Sequence, residues 1–290
     1  MQEINKDILK NIYKERSNDV RKYNFGLLLI IGGSEFYSGP PAFSAMAAFR
    51  AGVDMVRIIA PKRSADIIAG FSPNLAAYPL EGSHLTKKHL ATLLSMTESA
   101  KVVSKGKTAV IIGGGIGRSK ETQETILEYL SQTSVSVIID ADAIYAIEKN
   151  PEILSNKPFL ITPNNYEFFI LTGREIRDLS EDEKIKIIQE EANKLKTTIL
   201  FKGKTDIISN GEEVILNKIN CPYLTKSGTG DTLTGICGAL IARGINLFLA
   251  AQAATFINIK AGQLAAQNKK EGLLVTDLIE AIPEVINNIE

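Results

Sequence analysis

The residues best suited to chemistry are Gly228, Thr229, Gly230 and Asp231, which run directly into Leu233, Ile236, Cys237, Leu240 and Ile241. Those apolar residues recur at helical spacing until Gly244, so the four read as a glycine turn that opens a helix. Gly228 and Gly230 are both expected to free the backbone for the turn. Such a junction aims unpaired N–H groups and the positive end of the helix dipole at one point, which makes an anion site without a cationic side chain. Asp231 adds a carboxylate at that point. The stretch is no dinucleotide fingerprint, because G-x-G-x-x-G would need glycine where Leu233 stands, and no Walker loop, because no Gly-Lys-Ser/Thr closes it.

Other polar residues gather where apolar runs end. Asp140 and Asp142 follow one run, Asn164 and Glu167 another, and Lys202, Gly203, Lys204, Thr205 and Asp206 a third. Taken singly, Asp142 or Asn164 reads as a helix cap, and Lys202 as either a phosphate contact or a solvated lysine. The glycines from Gly113 to Gly117 let a ligand approach the main chain.

The elements that must position these residues alternate. Strands are expected at 25–31, 55–60, 108–112, 135–139, 159–161 and 197–201, with a hairpin at 207–209 and 213–216 around Asn210 and Gly211. Helices are expected at 3–16, from Ala42 to Gly52, at 86–98, 121–130, 181–196 and 250–266, and after Asp277. The pattern is β then α, repeated, and the ligand crevice of an open parallel sheet lies beyond the carboxyl ends of its strands. Asp140, Asp142, Asn164 and Glu167 fall on that side.

Composition narrows the partners. The 290 residues suffice for one large α/β core, with no linker or repeat in view. Lysine plus arginine equals aspartate plus glutamate, which argues against nucleic acid or an acidic membrane and for a small-molecule ligand. Cys221, Cys237, His84 and His89 show no metal-ligand spacing. The N-terminus is charged where a signal peptide would be apolar, and no apolar run approaches the ~18 residues of a membrane span. A cytoplasmic protein with reduced thiols is expected.

Together the landmarks resemble the ADP/ATP-dependent NAD(P)H-hydrate dehydratases over almost the whole chain. They are Gly32, Gly33, Ser34, Tyr37, Gly39 and Pro41; Ser72 and Pro73 with Tyr78, Pro79 and Leu80; Gly115, Gly117 and Arg118; Asp140, Asp142 and Ala143; Thr162, Pro163, Glu167 and Gly173; Lys202 and Gly203; Gly228, Gly230 and Asp231; and Thr276, Asp277 and Leu278. The resemblance implies a single ribokinase-like domain over 1–290, three-layer α/β/α with a mainly parallel central sheet. It implies ADP or ATP as co-substrate, with the adenylate along Lys202, Gly203, Lys204, Thr205, Asp206 and Gly230. Hydrated NADH or NADPH then occupies Pro40, Gly115, Gly117, Asn164 and Asp231. Chemistry falls at Gly228, Thr229, Gly230 and Asp231: Asp231 takes the proton of the ring hydroxyl, whose oxygen attacks the terminal phosphorus, and phosphate then leaves. Mg²⁺, placed at Glu167, and the turn amides offset the charge.

Two departures stand out. Asn164 replaces the histidine usual in Thr-Pro-His-x-x-Glu, and Gly39-Pro40-Pro41 replaces Gly-Ala-Pro. Asn164-x-x-Glu167 is the form seen in ribokinase-like sugar and vitamin kinases, so phosphorylation of a small alcohol is the alternative reading, and a nucleotide-binding sensor without turnover is a third. The resemblance further implies a homo-oligomer and NAD(P)H-hydrate epimerase as a functional partner, the epimerase domain itself being absent from this sequence.

Overall fold

Every residue of the runs Leu27–Ile31 and Thr108–Ile112 is buried, as expected of a parallel strand covered on both faces. The computed structural model describes residues 2–288. Its strands are β1 (Gln2–Glu3), β2 (Leu27–Ile31), β3 (Met55–Pro61), β4 (Ala76–Leu80), β5 (Thr108–Ile112), β6 (Ser136–Ile139), β7 (Phe159–Ile161), β8 (Thr198–Phe201), β9 (Asp206–Ser209) and β10 (Val214–Asn217). Its helices are α1 (Asp7–Ile12), α2 (Gly39–Arg50), α3 (Lys62–Phe71), α4 (Leu90–Val103), α5 (Lys120–Gln132), α6 (Asp142–Ile147), α7 (Asn165–Thr172), α8 (Glu181–Leu195), α9 (Thr229–Ala242), α10 (Leu247–Lys269) and α11 (Val275–Asn287).

The strands form one ten-stranded sheet, ordered β1-β10-β9-β8-β7-β6-β5-β2-β3-β4. Only β9 opposes the common direction, pairing antiparallel with β8 and β10. Side chains alternate between faces. Leu28, Ile30, Ala109 and Ile111 meet the layer of α1, α2, α3, α9, α10 and α11, while Leu27, Leu29, Val110 and Ile112 meet α4 through α8. The three-layer, mainly parallel architecture expected from sequence is the one observed.

α9 mounts the candidate turn rigidly. Its residues from Thr232 to Ala242 are all buried, and a buried leucine or isoleucine contributes about 1.5–3 kcal/mol. Two glycines let it sink between its neighbours. A Cβ at Gly235 would lie 2.3 Å from the Ser44 carbonyl oxygen of α2, and one at Gly238 would lie 2.8 Å from Leu28 Cδ1 of β2.

Three expectations need correction. The helix expected over 3–16 is confined to α1, because Asn5 Oδ1 accepts the Asp7 N–H at 2.9 Å and starts it late, while Gln2 and Glu3 pair with Ile215 and Leu216. The segment between β3 and Pro73, given no element in the sequence reading, contains α3. β4 was also unforeseen: Pro79 obscured it, yet β4 pairs only with β3, and an edge strand tolerates proline. Among the described residues no helix is long and apolar enough to cross a membrane.

Candidate active site

The turn into α9 depends on one glycine. Gly228 has φ 99°, and its added Cβ would lie 3.0 Å from both Phe43 and Val275. Gly230, expected to share that duty, is already helical and has ordinary dihedrals. No side chain caps α9. The Gly230 and Asp231 N–H groups find no acceptor among the described residues. Thr229 Oγ1 donates to the carbonyls of Leu224 and Lys226 at 3.0 and 2.9 Å, so it fastens the turn. The Asp231 carbonyl accepts from Ser44 Oγ and Thr234 Oγ1 at 3.0 and 2.9 Å. Asn258 braces the same turn from α10, accepting from Thr232 Oγ1 at 2.7 Å.

Beside this turn, three strand ends gather charge. Lys202 Nζ, after β8, lies 2.7 Å from Asp140 Oδ1, after β6, and 3.6 Å from Glu167 Oε2 on α7. Asp140 Oδ1 also accepts from Thr162 Oγ1 at 2.7 Å. Lys202 is therefore neither solvated nor free. Burial alone would lower its pKa, but attraction to Asp140 and Glu167, with Asp231 adding, raises it above the ordinary lysine value. Burial raises Glu167, with Lys202 opposing and Asp140 reinforcing the shift.

Asp231 is the unbalanced member. The described residues give its carboxylate no hydrogen-bond donor, and its Oδ1 would lie 2.9 Å from a Cβ at Gly114. Burial first, then repulsion from Asp140 and Glu167, pushes its pKa up from 3.8 to about 7 despite Lys202. A carboxylate in that range is poised as a general base near neutral pH.

A cavity of about 920 Å³ opens from this cluster, within the range of small-molecule sites. It is lined by Asn164, Glu167, Lys202, Gly203, Lys204, Asp206, Gly228, Thr229, Gly230 and Asp231, among others. Thr205 lies outside the lining, its hydroxyl donating to Glu181 at 2.7 Å. Asp206 faces inward: it accepts from Gly203 N at 3.0 Å and from the buried Thr255 hydroxyl. Its carboxylate shapes the 202–206 loop, and burial raises its pKa although those hydrogen bonds oppose the rise.

Pro40, Gly115 and Gly117 lie outside the cavity, on a shelf where two glycine segments stack. Gly33 N donates to Gly114 O at 2.9 Å, and added Cβ atoms at Gly114 and Gly115 would lie 3.1 and 3.2 Å from Pro40. Gly113 has φ 132°, and its Cβ would fall 1.8 Å from the Asp140 carbonyl oxygen. Ala141, a non-glycine residue at φ 49°, turns the chain between two aspartates with separate tasks. Asp140 serves Lys202, while Asp142 accepts from Gly117 N at 3.0 Å and Arg118 Nε at 2.6 Å. The shelf and the cavity meet at Asp231.

Asn164 and Glu167 are committed to α7. Asn164 Oδ1 accepts from Tyr166 N and Glu167 N at 2.9 and 3.0 Å, and Glu167 Oε2 accepts from Asn164 N at 2.9 Å. No three histidine, cysteine, aspartate or glutamate side chains among the described residues form a group fit for a metal ion. Glu167, where Mg²⁺ was expected, shares its carboxylate with the Lys202 ammonium at 3.6 Å, so an ion there would take its remaining ligands from nucleotide phosphates and water. Sequence reasoning missed Ser44 and Asn258, for which a polar residue inside an apolar helical run was the available signal, and marked Thr162 only as a family landmark, not as the donor to Asp140.

The NAD(P)H-hydrate dehydratase family model matches residues 28–284. The chain is 37% identical over 281 residues to the bifunctional NAD(P)H-hydrate repair enzyme Nnr of Hyperthermus butylicus, covering 95% of this chain and 51% of that protein. It is 33% identical over 279 residues to the ADP-dependent (S)-NAD(P)H-hydrate dehydratase of Nitrosopumilus maritimus, covering 96% of this chain and 93% of that one. The chain thus spans about half the length of the bifunctional relatives it matches. Among solved structures, a ribokinase-like superfamily protein of Enterococcus faecalis superposes with TM-score 0.85 at 23% identity, over 99% of this chain and 96% of that one. The ADP/ATP-dependent NAD(P)H-hydrate dehydratase of Bacillus subtilis, co-crystallized with ATP/Mg²⁺, superposes with TM-score 0.83 at 23% identity, over 100% and 99%. These likenesses show that the fold is ribokinase-like.

Proposed function

Since the chain belongs to the NAD(P)H-hydrate dehydratase family, we propose that it dehydrates the S form of hydrated NADH or NADPH, converting ADP to AMP, or ATP to ADP, with release of phosphate. The observation that carries this reading is Asp231: a carboxylate without a hydrogen-bond donor among the described residues, held near neutral pKa, where the cavity meets the glycine shelf.

In this reading the nucleotide lies along Lys202, Gly203, Lys204, Thr205, Asp206 and Gly230, and the hydrated dinucleotide along Pro40, Gly115, Gly117 and Asn164. Asp231 accepts the proton of the ring hydroxyl. The freed oxygen bonds to the terminal phosphorus, and the bond from that phosphorus to the bridging oxygen breaks, releasing AMP or ADP. The ring nitrogen's lone pair then expels phosphate as the C–O bond breaks, and loss of a proton from the adjacent carbon restores the reduced ring. The unpaired Gly230 and Asp231 amides face the charge that builds up on the transferred group. Mg²⁺ is expected to travel with the nucleotide phosphates, where it neutralises their charge. The family resemblance adds the expectation of a cytoplasmic homo-oligomer working alongside an epimerase.

The test is absorbance at the reduced-nicotinamide band after mixing protein, hydrated NADH, Mg²⁺ and either nucleotide. A nucleotide-dependent rise is expected, and it names the phosphate donor. No rise with either nucleotide, in folded protein, would sink the reading.

A further inference from the structure

The turn that leads into α9 carries a lysine outside the machinery described so far. Lys226 lines the same cavity as Lys202, Lys204 and Asp231. Its backbone is fixed, because its carbonyl accepts the Thr229 hydroxyl at 2.9 Å, just ahead of the first turn of α9. Its tip is held only by a neutral group: Nζ donates to the Glu271 carbonyl oxygen at 2.6 Å, in the short turn Lys270–Gly272 between α10 and α11.

Of the other two cavity lysines, Lys202 is paired with Asp140 and Glu167. Lys204 has no carboxylate within ion-pair distance among the described residues and attracts Glu181 only through space, Thr205 and Lys218 being the groups that bind it. Among the described residues Lys226 has no carboxylate within ion-pair distance. The charge around it is unbalanced. Asp140, Glu167 and Asp231 face Lys202 as their one close cation, so an incoming polyphosphate meets a wall with more negative than positive charge. The α9 amides offset part of this repulsion, and an ammonium at the same turn without a carboxylate partner among the described residues supplies what they lack.

We propose that Lys226 is the ligand of the nucleotide's terminal phosphate, exchanging the Glu271 carbonyl for a phosphate oxygen when ADP binds. This rests on the reading of the cavity as the nucleotide site. The exchange favours binding, because a phosphate oxygen carries a charge that attracts the ammonium and the Glu271 carbonyl oxygen does not. It also places a cation on the group that is transferred, beside the base that activates the attacking hydroxyl.

The test compares ADP with AMP, which lacks that phosphate, by calorimetric titration of the full chain in Mg²⁺ buffer. Lys226→Ala is expected to weaken ADP by about tenfold or more, towards the affinity of AMP, while AMP changes by less than about twofold. Lys226→Arg, which keeps the charge, should retain most of the ADP preference. Equal weakening of both nucleotides would overturn the proposal, since it would make Lys226 a prop between the turn and Glu271. Unchanged ADP affinity in Lys226→Ala would overturn it as well. Failure of the folded wild-type chain to bind either nucleotide would overturn the cavity assignment together with this inference, an outcome distinct from the other two.

Discussion

Helix α7 begins with a closed first turn, whereas α9, ending at the same cavity, begins with an open one. In α7 the Asn164 carboxamide takes the Tyr166 and Glu167 N–H groups, and the Glu167 carboxylate takes the Asn164 N–H. In α9 the cap position is Gly228, which has no side chain, and the Gly230 and Asp231 N–H groups stay unpaired among the described residues. A side-chain cap is worth about 0.5–2 kcal/mol. The chain takes that stability at α7 and forgoes it at α9, so α7 is scaffold and α9 is the end left for a ligand's anionic oxygens. The same contrast holds for carboxylates: Glu167 is bonded on both flanks, while Asp231 has no hydrogen-bond donor among the described residues.

The change expected to have the largest effect is Asp231→Asn. It keeps the shape and removes the base, so kcat should fall about 10²–10⁴-fold while nucleotide binding survives. In wild type, kcat/KM should fall about tenfold per pH unit below about 7, as the carboxylate takes its proton. The stability consequence runs with the same sign. Folded Asp231 holds its proton to about pH 7 and the unfolded group only to about 3.8, so the folded state is the better proton binder between those values. Its contribution is fully favourable below about pH 4 and is lost as pH rises through about 7. The asparagine variant should therefore melt above wild type at about pH 8, with the gap closing on acidification. A pH-independent gap would show that α9 carries no strained carboxylate.

Gly228→Ala attacks the open turn through its backbone. The required φ and the contacts with Phe43 and Val275 should cost about 1–3 kcal/mol in urea unfolding and displace the amides, weakening ADP. Full stability with full ADP affinity would mean that the turn's shape is not set by this glycine. The smallest effect belongs to the closed turn. Asn164→Ala should lose about 1 kcal/mol of stability, most of which Asn164→Ser recovers, with turnover falling only in step. If turnover collapsed while stability held, capping would not be this residue's main task and the contrast between the helices would fail.

Much of this was legible because it is local. β5 and β7 were located to the residue, since short continuous apolar runs ended by turn-forming or polar residues have the length of buried strands. The anion-cradling turn was legible from Gly228 and Asp231, because glycine geometry and helix periodicity act over a few residues. What escaped was tertiary. Nothing near Lys202 in sequence shows that Asp140, 62 residues earlier, lies 2.7 Å away and takes its charge. The glycine at 113 was visible, but not that the Asp140 carbonyl leaves no space there for a Cβ. Gly230 looked like a second hinge because composition cannot distinguish a glycine that turns from one that is helical.

The one reversed strand has a mechanical consequence. Loops that join a strand to a helix here are held by dissimilar supports, whereas the loop at 202–206 leaves β8 and returns as β9 into the same sheet, with Ile199, Leu200 and Phe201 paired to Ser209, Ile208 and Ile207. It is a short beam clamped at both ends, tied across its middle by the Asp206 carboxylate and Gly203 N. So short a closed span has few shapes to surrender, and a ligand laid along it loses little to ordering.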